Sequence, residues 1–144
     1  MSSASAVRRG QAAAERDMTL TLTPQAPMDP PSFTTDPDGF EVPAFNTQSP
    51  HAGKVQSGTQ AGSDTPTRYV KVAGVDRPVL AAGLHIPVGA PIPVASEQRG
   101  QATEYVVSGL GQADDPALLN RRYMVVGVPA KSFATARRLD VIQL

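Results

Sequence analysis

The runs Tyr105-Val106-Val107-Ser108-Gly109-Leu110, Tyr123-Met124-Val125-Val126-Gly127-Val128 and Leu139-Asp140-Val141-Ile142-Gln143-Leu144 decide the fold class. Each is short, rich in Val, Ile, Leu and Tyr, and flanked by turn-forming or polar residues, which is the pattern of a strand and not of a helix. Runs at 68–75, 83–88 and 92–95 read the same way. Their spacing is close to the roughly 8–12 residues of hairpin-linked all-β domains, so the sequence predicts a mainly β protein, a small barrel of about six strands. Pro78, Pro87, Pro91, Pro93 and Pro129 fall at or near the ends of these runs. Pro87 and Pro93, which lack a ladder N–H, predict edge positions.

Composition supports this reading. Fourteen Pro and 12 Gly in 144 residues are too many for a helical bundle, because Pro costs about 3 kcal/mol in a helix interior. With no Trp, three Tyr and four Phe, Val, Ile and Leu must fill the core. Thirteen basic and 13 acidic side chains cancel, so no global field steers the chain to nucleic acid or an anionic membrane. The lack of Cys excludes disulfides, thiol catalysis and Cys-ligated zinc. Residues 1–11 carry Arg8 and Arg9 without the apolar run of a signal peptide, and no later stretch is apolar for long enough to span a bilayer, so a soluble, unexported chain without a membrane partner is expected.

Upstream of the strands, residues 4–18 predict a short helix with Val7, Gln11, Ala14 and Met18 on one stripe. Isolated helices of this length are marginal in water, so this one needs a surface to lie on. Residues 19–23 alternate Thr and Leu as a strand does. From Pro24 to Thr67 the chain is rich in Pro, Ser, Thr, Gly and Gln and reads as extended segments and turns. Within it Asp36-Pro37-Asp38-Gly39 is a strong turn that should join 32–35 to 40–45. Residues 57–64 form a polar run with no means of burying itself. The chain thus divides, within one domain, into a helix and first strand (1–23), an extended arm and loop (24–67), and a barrel core (68–144).

No constellation for catalysis stands out, and no cofactor or metal is expected. His51 and His85 lie in no catalytic motif, and His85 reads as a strand side chain turned to solvent or hydrogen-bonded. Ser108-Gly109-Leu110-Gly111 lacks the third Gly of a dinucleotide fingerprint and the Lys-Ser/Thr of a phosphate loop, and predicts a turn. Asp36, Asp38 and Glu41 fall short of a calcium loop. Asp114 or Asp115 should cap a single helical turn at Pro116-Ala117-Leu118-Leu119. Beyond Pro116 the chain carries Arg121, Arg122, Lys131, Arg137 and Arg138 against Asp140 alone, a basic segment that suits a solvated face, an acidic partner surface or phosphates.

In order, the features resemble the head-to-tail stopper, or head-closure, proteins of tailed phages that infect actinobacteria. Arg9-Gly10-Gln11-Ala12-Ala13-Ala14-Glu15-Arg16-Asp17-Met18 resembles that family's opening helix and Leu84-His85-Ile86-Pro87-Val88 its central strand. Asp115-Pro116-Ala117-Leu118-Leu119-Asn120-Arg121-Arg122-Tyr123, with Val125-Val126-Gly127-Val128-Pro129-Ala130-Lys131-Ser132-Phe133-Ala134-Thr135-Ala136-Arg137-Arg138-Leu139-Asp140-Val141, resembles its closing pattern over the whole length. The likeness weakens between Pro24 and Arg77, and at Val88-Gly89-Ala90-Pro91-Ile92-Pro93 the family tends to place an acidic residue and no Pro.

The resemblance implies a structural virion protein of the phage neck, assembled in the host cytoplasm. It would form a homo-oligomeric ring, a hexamer by analogy, below the adaptor and portal rings and above a tail terminator or tail tube protein. There it would seal the channel after packaging, contact packaged DNA non-specifically if at all, and provide the platform for tail attachment. On that analogy the loop 57–67, with Ser57, Gly58, Gly62 and Thr67, is the candidate channel loop. Arg121, Arg122, Lys131, Phe133, Arg137 and Arg138 are the candidate subunit contacts, with Arg137 and Arg138 facing a neighbour's Asp36, Asp38 and Glu41. The rival readings are a capsid decoration protein, which would share the small β domain and extended arm, and a nucleic-acid-binding barrel that uses the basic segment.

Overall fold

The computed structural model describes residues 3–56, 68–130 and 134–144. Six antiparallel strands close a barrel in the spatial order β1 (Leu20–Pro27), β5 (His51–Val55), β8 (Leu80–Ile86), β11 (Arg137–Gln143), β10 (Arg122–Gly127) and β9 (Glu104–Gly109). Strand β9 returns to β1, with Thr21 opposite Gly109 and Gln25 opposite Glu104. A short strand, β4 (Phe45–Thr47), extends the wall from the far half of β1. A mainly β fold with a closed six-stranded barrel is what the strand spacing predicts.

The barrel interior follows from period-two alternation. Leu20 and Leu22, Leu84 and Ile86, Tyr105 and Val107, Tyr123 and Val125, and Leu139 and Val141 point inward from five strands and form one buried cluster. Burying each such side chain stabilises the fold by about 1.5–3 kcal/mol. Strand β5 presents Gly53 to this cluster, and a Cβ there would overlap the Leu22 side chain, with Leu22 Cγ at 2.8 Å and the His85 carbonyl oxygen at 3.2 Å. Leu22 therefore occupies room that any larger residue at 53 would claim.

Two strands of the barrel come from outside the segment 68–144 in which the sequence reading placed the core. Strand β5 is one of them; its polar sequence, His-Ala-Gly-Lys-Val, hides a role in which Gly53 supplies room and its neighbours supply the bulk. Conversely, 68–75 is not one barrel strand. It folds as β6 (Tyr69–Val72) and turns into β7 (Val75–Pro78) through Ala73 and Gly74, both at positive φ (52° and 79°) as a type I′ hairpin turn requires. Ala at the first position conceals the signal that Asn or Asp would give.

This β6–β7 hairpin lies on the outer face of β10 and β11. Val70 and Val72 bury Met124, Val126 and Ile142 in a second cluster, so β10 is buried on both faces. Residues 92–95 form no strand either. Pro91 and Pro93 remove two ladder donors, and the segment is fastened by Val94 N–H to Thr103 Oγ1 (2.9 Å), Thr103 N–H to the Val94 carbonyl (2.9 Å) and Ser96 N–H to the Val125 carbonyl (3.1 Å).

The N-terminal helix α1 (Ser3–Arg16) buries the stripe that its spacing predicts. Val7, Gln11 and Ala14 are half-buried and Met18, just past the helix, is buried. Gln11 Nε2 donates to the Ala134 carbonyl at 3.2 Å. Gly10 allows close approach to that segment, since a Cβ there would lie 2.6 Å from Thr135 Cγ2.

Gly53→Ala should overpack the interior and lower unfolding free energy by about 1–3 kcal/mol in urea denaturation. Gly89→Ala, where no atom lies within 4 Å of the added carbon, should leave stability near wild type.

Candidate functional site

The predicted turn at Asp36-Pro37-Asp38-Gly39 builds a hairpin of its own, β2 (Phe33–Thr35) with β3 (Glu41–Pro43), outside the barrel. Asp36 organises the tip. Its Oδ1 accepts the N–H of Asp38 (3.0 Å) and of Phe40 (2.8 Å), and its backbone accepts the Gly39 N–H (3.0 Å). Gly39 sits at φ 87°, as the closing position of such a turn favours. At the base, Pro43 is buried and Phe33 lies against Gly100. The rest stands in solvent: Phe40 is 69% exposed, Phe33 and Val42 are exposed, and Asp38 and Glu41 flank them.

Beneath the hairpin base, Glu104 is fully buried on the outer side of β9. A buried carboxylate must be paired, and two guanidinium groups pair it. Arg99 binds in the two-pronged manner, Nε to Oε2 at 3.1 Å and a terminal nitrogen to Oε1 at 3.0 Å, while Arg122 donates to Oε1 at 3.0 Å. Arg122 also lies over the Phe45 ring, 5.7 Å from its centroid. The network locks the 97–100 turn, and with it the seat of the hairpin, to the barrel wall.

On the far side of the barrel, β5, β8 and β11 carry a row of basic residues. Lys54 is opposite His85, and His85 is opposite Arg138. Opposed residues share a face, and the alternate positions Leu84, Ile86 and Leu139 fill the interior, so this row points outward. His85 Nε2 donates to the Ala82 carbonyl at 3.1 Å. Burial, and then the Arg138 charge, holds the imidazole below its ordinary pKa and favours its neutral form. Asp140, the next outward residue on β11, is engaged by the Ala82 N–H at 3.0 Å. Beside Arg138 a cleft of about 420 Å³ opens between α1 and the barrel, lined by Val7, Ala82, Val88, Ala130 and Ala136 among others, with Gln11, Arg137 and Arg138 as its polar lining.

The structure divides the basic segment that the sequence singles out. Arg122 is bound to Glu104. Arg137 is opposite the interior residue Ile86, lies half-buried, and acts on the core phenol of Tyr105, lowering a pKa that burial raises well above the usual tyrosine range. Arg138 alone of the pair belongs to the outer row. Arg121 is half-buried between η1 (Pro116–Leu118) and β10, its N–H donating to the Leu118 carbonyl. Lys131 and Phe133, and Ser57, Gly58, Gly62 and Thr67, lie outside the described residues. Asp115 caps η1 by accepting the Ala117 N–H at 2.9 Å, as predicted for that turn. Asp114 instead accepts the Thr19 hydroxyl and the Gly111 N–H, tying the β9–β10 connection to the start of β1. Ser108 and Gly109 belong to β9, so the predicted turn begins only beyond Gly109.

Sequence reasoning missed Glu104 with Arg99, and Lys54 with His85. Both sets become visible only when strands distant in sequence are placed in register. Among the described residues, no group of three or more His, Asp and Glu side chains is placed to hold a metal ion, and no helix is long and apolar enough to cross a membrane.

The model of a family of unknown function, DUF6093, matches residues 10–142. The chain belongs to the DUF6093 family. That match takes in Gln11, Ala14 and Met18 of the α1 stripe, the β2–β3 hairpin, five barrel strands whole and β11 as far as Ile142, and both halves of the Glu104 network. No curated protein and no solved structure matches the DUF6093 chain.

Replacing Arg99 and Arg122 together by Ala would leave the Glu104 carboxylate buried without a partner. The double variant should lose about 3–5 kcal/mol in chemical denaturation, whereas Arg68→Ala, which removes an exposed ion pair with Glu97, should lose under about 1 kcal/mol.

Proposed function

We propose that this chain is a structural subunit of the phage neck, a head-to-tail stopper that assembles as a ring and provides the surface to which the tail attaches. The observation that carries the reading is the division of labour in the chain. A closed barrel with a filled interior forms a rigid body, and a separate hairpin with exposed Phe33, Phe40 and Val42 projects from one wall. Exposed apolar side chains beside charged ones mark contact surfaces, and here Phe40 and Val42, two apart on the face of the ribbon opposite Phe33 and Pro43, stand exposed on a hairpin with little core of its own. The resemblance of the opening helix, the central strand and the closing segment to head-closure proteins supports the same assignment. The partners on this reading are further copies of the chain, an adaptor or portal ring above and a tail protein below, and the location is the virion neck.

Quantitative mass spectrometry of purified particles tests the proposal. About half to one copy per portal subunit is expected, because closed rings stacked on a portal hold comparable subunit numbers. Tens of copies per portal subunit would instead identify a capsid decoration protein.

A further inference from the structure

The strand order places two complementary surfaces on opposite walls. Going round the barrel as β1, β5, β8, β11, β10 and β9, the strand across from β8 is β9, and the strand across from β5 is β10. The hairpin stands on the β9–β10 side, since Phe33 and Pro43 lie against the 97–100 turn that Glu104 anchors. Its tip offers Asp36 and Asp38 beside the exposed Phe40, while Glu41 lies on the other face with Phe33 and Pro43, in a groove that Lys71 and Arg99 also line. The opposite wall offers Lys54 and Arg138, and beside Arg138 the apolar cleft against α1.

Two different, complementary patches are what a heterologous contact requires, and such a contact, repeated, closes a ring when its rotation divides a full turn and builds an open filament when it does not. We propose that the β2–β3 hairpin tip of one copy docks on the β5–β8–β11 wall of the next, with Phe40 entering the cleft between α1 and the barrel and the tip carboxylates facing Lys54 and Arg138. This rests on the ring reading above and specifies its contact surfaces. An aromatic anchor seated in a pocket, inside a polar rim, is a common make-up of a protein interface. The contact also gives α1 a second surface, which its thin stripe and half-buried state leave room for. Arg137, half-buried, lines the same cleft beside Arg138.

Charge exchange in the full-length chain tests the pairing. One variant carries Asp38→Lys, the other Lys54→Glu and Arg138→Glu, and self-association is followed by sedimentation velocity, with circular dichroism and thermal unfolding confirming that each variant folds. Each variant alone should associate about tenfold or more weakly than wild type. An equimolar mixture should associate again, because each reversed tip then meets a reversed wall. Association of the single variants at wild-type strength would overturn the pairing while leaving the ring reading standing, as the copy number in particles is measured separately. A wild-type chain that stays monomeric throughout would also overturn it. So would a wall variant that loses duplex-DNA binding with its self-association unchanged, which would assign the wall to nucleic acid.

Discussion

The pairing of β1 with β9 is the constraint on which the rest of this structure depends. Without it the six strands form an open sheet with two edges, and the inward row of Leu, Ile, Val and Tyr side chains faces water. With it every barrel strand has two neighbours, and the interior is filled by pairs of residues spaced two apart. Closure joins segments about 80 residues apart in the chain, and Asp114 reinforces it by taking the Thr19 hydroxyl at the mouth of the same seam. A long-range pairing of this kind carries a loop-closure cost before it is rewarded, which is why it must be held by several independent contacts.

Closure also explains why the proposed contact surfaces lie outside the barrel. A filled six-stranded barrel has no lumen for a ligand, so what the chain can offer a partner is its outer wall and the elements fastened to it. The β6–β7 hairpin is fastened by apolar burial against β10 and β11. The β2–β3 hairpin is fastened otherwise: its base rests on a turn held by the Arg99–Glu104–Arg122 network, and its tip is left free. A buried charged network gives little net stability against a hydrophobic replacement, yet it fixes one geometry closely. That suits a device whose use is to aim a contact surface.

Much of the fold was legible in the sequence, for identifiable reasons. Strands β8, β9, β10 and β11 announce themselves because one or both of their faces are apolar, and the Asp36-Pro37-Asp38-Gly39 turn and the Asp115 cap rest on local chemistry. The α1 stripe was legible because 3.6-residue periodicity survives even in a thin helix. Strand β5 was not, because its inward residue is a glycine and its contribution is the absence of a side chain. The β6–β7 turn was hidden by Ala73 in a conformation that Ala seldom adopts. Of the candidate contact residues, Arg138 is placed on an outward row, while Arg122 and Arg137 are engaged by the barrel itself. A count of charges along the chain cannot tell these three apart, because inward and outward positions differ by a single step of register.

On this reading a rigid barrel carries a hairpin whose contacts are completed only by another molecule. Amide hydrogen exchange read by mass spectrometry, on the free chain and on the chain in assembled particles, tests this most directly. Barrel amides in β8, β10 and β11 should exchange slowly in both states, while amides at 33–43 should exchange rapidly in the free chain and become protected on assembly. Equal exchange at 33–43 in the two states would contradict it.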